Sequence, residues 1–164
     1  MAFGQITGET IKSAISLKIR SAFATTSGTP PVTTYPTIYK EKVVQGMIKP
    51  CFFVWTMDVS PVKRMKNTFE FPYQMNVRYE PSEDDEEKYK SCMSVAMTLT
   101  EALSSIDVPI DVNGTEVLKQ VYGRDMEFSI TDDVLQFFVS YTLRGYIPEA
   151  ATQPFMKTLD AINQ

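Results

Sequence analysis

The sequence predicts an α+β fold, a two-layer sandwich whose mainly antiparallel sheet of two hairpins carries helices packed on one face. Three observations carry that expectation. Residues 68–79 alternate without a fault: Phe69, Phe71, Tyr73, Met75, Val77 and Tyr79 point one way, and Thr68, Glu70, Pro72, Gln74, Asn76 and Arg78 the other. Strand side chains alternate faces, so this is a strand with one buried and one wet side. Met126, Phe128 and Ile130 alternate again before Asp132-Asp133, and Leu135, Phe137, Val139, Tyr141 and Leu143 after it, which reads as a second one-sided hairpin. Two further stretches carry apolar residues at three- and four-residue steps, the helical period.

In chain order, Thr7 reads as the N-cap of a helix over residues 8–24. Its Ile11, Ala14, Ile15, Ile19, Ala22 and Phe23 share a face, with Glu9, Lys12 and Arg20 outside. Residues 25–36 read as a flexible Thr/Pro loop, kept out of regular structure by three prolines and a glycine. A short strand over 37–43 follows, closed by Gln45-Gly46. The first run of the central hairpin, 51–59, puts Cys51, Phe53, Trp55, Met57 and Val59 on one face. Its other face begins apolar with Phe52 and Val54 and ends polar with Thr56 and Asp58, as if covered only at its start. Residues 60–67 are the connector to the strand over 68–79, which at ~3.4 Å per residue spans roughly 40 Å.

Pro81-Ser82 opens a second helix, with Ser82 and Asp85 spaced as a capping box. Tyr89, Met93, Ala96, Leu99, Leu103 and Ile106 continue as an apolar stripe suited to covering the hairpin. Residues 108–112 read as a short extended piece and Asn113-Gly114 as a tight turn. Beyond Pro148 the pattern weakens, although Phe155, Leu159 and Ile162 fit a short terminal helix in an extension over 147–164.

A chain of 164 residues is expected to form a single domain over 1–164. It has no histidine, which removes Ser-His and Cys-His nucleophile pairs and any Cys/His metal site. With no glycine-rich phosphate loop and no Gly-x-Ser-x-Gly, the expectation is a protein without catalytic residues, cofactor or metal. A net charge of −4 argues against a chain whose task is to grip nucleic acid. Cys51 and Cys92 fall on apolar faces and read as buried free thiols of a reducing compartment. No apolar run approaches the ~20 residues that span a membrane, and the first residues lack a signal-peptide pattern. Use inside a cell, or in something assembled there, is the expectation.

Two charged stretches stand out. Glu83, Asp84, Asp85, Glu86 and Glu87 fit a solvated first turn matched to the helix dipole better than an acid/base pair, which needs a cleft. Lys63, Arg64, Met65 and Lys66 fit either a solvated hairpin tip or a contact reaching beyond the domain. Met65 favours contact, because a flexible apolar side chain suits an irregular partner surface. In that case the run 83–87 on a neighbouring copy is the nearest candidate target.

The run Ile38-Tyr39-Lys40-Glu41-Lys42-Val43-Val44-Gln45-Gly46-Met47-Ile48-Lys49-Pro50-Cys51-Phe52-Phe53-Val54 resembles one in small tail terminator proteins of tailed bacteriophages and phage-like contractile-tail elements. The strand from Asn67 to Tyr79 and the run Asp132-Asp133-Val134-Leu135-Gln136-Phe137-Phe138-Val139-Ser140-Tyr141 resemble that family's later strands. The resemblance covers residues 12–146 and departs at 25–34, at 108–112 and after Pro148. It implies a structural virion protein, usually a ring of six, that caps the tail tube and offers its other side to the neck or head. The partners it implies are further copies of itself, the tube protein, the sheath and neck or head-completion proteins, with DNA passing through the lumen unbound. It also implies assembly in the host cytoplasm followed by residence at the head-proximal end of the tail. A neck or head-completion connector of the same kind of virus is the alternative.

Overall fold

The computed structural model describes residues 7–40, 46–65, 68–112 and 115–146. Helix α1 (Gly8–Ala22) begins where its sequence says it should. The Thr7 side chain accepts from the Thr10 amide while the Thr10 hydroxyl accepts from the Thr7 amide, a capping box that satisfies two N-terminal donors. Ile11, Ala14, Ile15 and Ile19 are buried along one face; Ala22 is exposed, and Phe23 packs against Phe52 with the rings tilted by 44° and 5.0 Å between centroids.

The segment read as an irregular loop is a small hairpin of β1 (Thr25–Ser27) and β2 (Val32–Thr34), turning through Gly28 at φ +89°. All six strand residues are exposed, so no apolar alternation announces them. β3 (Thr37–Tyr39) follows and pairs parallel with the start of β4 (Cys51–Val59), with Thr37 opposite Cys51. The remainder of the strand expected over 37–43 reaches into residues outside the described set.

Three strands replace the expected two-strand central hairpin. β4 pairs antiparallel with the second half of β6 (Thr68–Glu80), and β5 (Val62–Met65) pairs with its first residues. Half of the segment read as a connector is therefore strand. The core-facing side of β4 is also the opposite of the one the alternation favours. Phe52 and Val54 join the helices in the core, whereas Cys51 and Phe53 are covered from the other side, with Tyr39 stacked on Phe53 at 5.2 Å. A bulge between Thr56 and Asp58 then inverts the phase, which brings Val59 onto the core side and leaves Met57 half-exposed. The β6 prediction holds: Tyr73, Met75, Val77 and Tyr79 are buried. Its other face is not wholly wet, because Asn76 and Glu80 are buried too.

Helix α2 (Lys88–Ala102) starts later than the sequence suggests. No side chain caps it, its N-cap is Glu87, and its first turn holds no acid, so the Ser82/Asp85 capping box does not form. Cys92, Ala96 and Leu99 line its buried face and Leu103 ends it, while Tyr89, expected in the stripe, is exposed. β7 (Ser105–Val112) and the 17-residue β8 (Thr115–Thr131) follow, in a register that sets Val112 opposite Thr115. The predicted Asn113-Gly114 turn and the predicted terminal helix lie outside the described residues. β9 (Val134–Tyr146) returns alongside both β8 and β6, through a turn at Asp132 (φ +51°) and Asp133 (φ +60°).

One seven-stranded sheet results, ordered β3-β4-β6-β9-β8-β7 with β5 beside β6, antiparallel except for β3 with β4. The α+β class holds, with mostly strands and two helices. The sheet, however, is a curled half-barrel rather than a sandwich of two separate hairpins. Long strands twist, and bulges at Thr56/Asp58 and Arg124/Glu127 bend this sheet further. Both helices pack on the side carrying Phe52, Val54, Met75, Val77, Leu135, Phe137 and Tyr141.

Candidate assembly surfaces

β6 places the two charged stretches at its opposite ends. Thr68, at its start, faces Met65 of β5; Glu80, at its end, leads into the run 83–87. Thirteen residues of strand put about 40 Å between them, so within one copy they do not meet.

At the β5 end the candidates are not equivalent. Arg64 donates through Nε to Glu70 Oε2 at 2.6 Å, and Arg144 of β9 donates to Glu70 Oε1 at 2.8 Å. Hydrogen bonds from Arg64, then Arg144, hold the Glu70 carboxyl below the usual carboxylate range. This pairing ties β5 to β9 across β6 and gives the tip a fixed form. Lys63 is exposed and makes no ion pair among the described residues, and Met65 is 75 % exposed. Lys66 lies outside the described residues.

The acidic run is largely engaged within its own surroundings. Lys49 sits 3.4 Å from both Glu80 and Glu83, and Glu87 pairs with Lys90 at 2.7 Å. Against the burial that opposes its charge, Glu83 and Glu80 raise the Lys49 pKa. Asp85 accepts a hydrogen bond from the Ser91 side chain and another from the Glu87 amide at 2.9 Å, which keep its carboxyl below the usual range. Asp84 and Glu86 are exposed. The cluster shapes the entry to α2, where Asp85, Glu86 and Glu87 line an open depression with Lys88, Lys90 and Asp133.

Other surface features carry no signal in the linear sequence. On the sheet side opposite the helices, Met57, Gln74, Asp125, Glu127, Phe138 and Ser140 line a groove. They come from β4, β6, β8 and β9, and the two bulges decide which of them share a face. Asp125 holds φ +49° within the β8 bulge. β7 is one edge of the sheet, and its partner β8 exposes Leu118 and Tyr122. Cys51 and Cys92 are both buried and free, as their faces predict, and burial raises both thiol pKa values. Among the described residues no three His, Cys, Asp or Glu side chains are grouped to hold a metal, and no helix is long and apolar enough to cross a membrane.

No curated protein matches the chain. One protein of solved structure, whose name conveys no activity, is similar at 14 % identity with a TM-score of 0.38, over 88 % of this chain and 99 % of the other. At that level the likeness supports no inference. The family model described as phage tail terminator protein matches residues 10–153, nearly the whole of the described structure. The chain therefore belongs to the phage tail terminator family and is a structural protein of the phage tail.

Proposed function

We propose that the protein closes into a ring, of six copies, on the head-proximal end of the tail tube, where it ends tube growth and presents its outer side to the neck or head. The observation that carries this reading is the family match over residues 10–153, which also favours a terminator over a neck or head-completion protein. Two physical features support it. A net charge of −4 suits a collar through which DNA slides without being held. Sheet edges at β3 and β7 offer main-chain groups on which a neighbouring copy can dock.

In this reading the tail is contractile, and the ring meets the tube protein, the end of the sheath and the neck after assembly in the host cytoplasm. No catalytic step is involved. The test is tube polymerisation with and without the protein. Added to growing tubes, it should arrest them at one end; without it, tubes should overrun their normal length. Unchanged tube lengths in both conditions would refute the proposal.

A further inference from the structure

The ring reading leaves open which surfaces join one copy to the next, and the structure supplies a complementary pair. The first is the far end of the β5-β6-β9 arm. Lys63, Arg64 and Arg144 stand there with, among the described residues, Glu70 as the acid that pairs with them, and Met65 and Val62 are exposed beside them. That end is basic with an apolar point.

The second surface is the groove on the sheet side opposite the helices. Asp125 and Glu127 line it, and neither makes an ion pair among the described residues. Asp58 lies opposite Gln74 in the β4-β6 register, on the same side of the sheet, and adds a third exposed carboxylate. Arg124, opposite Ser140, is the neighbouring cation and does not line the groove. Two acids and no base line the groove, with Asp58 and Arg124 beside it, and that leaves it acidic. Half-exposed Met57 and partly covered Phe138 give it an apolar floor.

We infer that the basic β5 tip of one copy, through Lys63 and Met65, docks into the acidic groove of the next copy around Met57, Asp125, Glu127 and Phe138. The inference rests on the ring reading and names the contact between its subunits. A copy cannot fill its own groove. Pairing with Phe69 fixes Lys63 along β6, and five residues of strand, about 17 Å, separate Phe69 from Gln74. The two surfaces differ, so each copy uses each of them once. Such a head-to-tail contact closes into a ring when its rotation divides the circle. This target also fits better than the run 83–87, where Glu83, Asp85 and Glu87 already have partners in their own chain.

The test is charge exchange in the full chain assembled on tail tubes, with rings counted at tube ends by electron microscopy. Lys63→Glu and Glu127→Lys should each lower ring occupancy about tenfold, more at low salt, while the double exchange should recover most of it. Both positions are exposed, so thermal midpoints should match the unaltered protein and show that the fold is kept. Rings at normal occupancy with either single exchange would overturn this contact and leave the ring reading standing. Losses that the double exchange fails to recover would also overturn it. An unaltered protein that forms no rings would overturn the ring reading itself.

Discussion

Removing the hydroxyl of Tyr141 tests how the helix and the sheet are joined. Tyr141 is fully buried in β9, and its phenol donates a 2.7 Å hydrogen bond to the main-chain oxygen of Leu103. Leu103 is the C-cap of α2, and the last carbonyls of a helix have no partner within it. The next carbonyl, Ser104, accepts from the Gly123 amide at 2.9 Å. Two neighbouring strands thus satisfy two successive carbonyls where α2 hands the chain to β7. Tyr141→Phe keeps the ring and its packing but leaves a buried acceptor bare, at a cost of about 1–2 kcal/mol. For a domain of this size each kcal/mol lowers the melting midpoint by about 2–4 °C, so the expected drop is about 2–8 °C. Urea unfolding with an unchanged slope would attribute the loss to the native state. A variant as stable as the original would show that this carbonyl does not depend on the phenol, and the account of the junction would fail.

Gly123→Ala should be worse than Tyr141→Phe, because an added Cβ would lie 2.6 Å from the Leu103 oxygen, a backbone atom with little room to yield; equal thermal midpoints for Gly123→Ala and the original would contradict that geometry. The Glu70 carboxyl, held down by Arg64 and Arg144, contributes stability that is present above its unperturbed pKa of 4.5 and is lost as pH falls through its lower folded value. Glu70→Gln should therefore be less stable than the original near neutrality, with the gap between their midpoints closing under acid; a gap independent of pH would refute the pairing. Glu83, Asp84 and Glu86 precede α2 instead of filling its first turn, so their joint replacement by Gln should move stability by no more than about 0.5 kcal/mol in chemical unfolding. A large loss would return them to the helix dipole.

Much of the fold is legible because burial on one side writes itself into the alternation. Residues 68–79 and 135–143 show it plainly, as do Thr7 and the Ile11, Ile15, Ile19 stripe. Legibility fails where that link is broken. The β1-β2 hairpin buries nothing, so its threonines read as loop. Cys51, Phe52, Phe53 and Val54 are all buried, and a strand covered on both sides does not reveal which side faces the helices. The bulge at Thr56/Asp58 then shifts the phase by one residue. Ser82 and Asp85 have the spacing of a cap, yet Asp85 turns to Ser91 and the Glu87 amide. Of the candidate contact residues, sequence singles out the basic tip because charge is dense there. It misses the groove, whose residues come from four strands and meet only once register and bulges are set.

The central claim is that this member of the phage tail terminator family forms a ring at one end of the tail. The most direct measurement is electron microscopy of purified tails carrying a label fused after Gln164. The account predicts a single labelled ring of about six copies at the head-proximal end. One copy per tail, or label spread along the sheath, would contradict it.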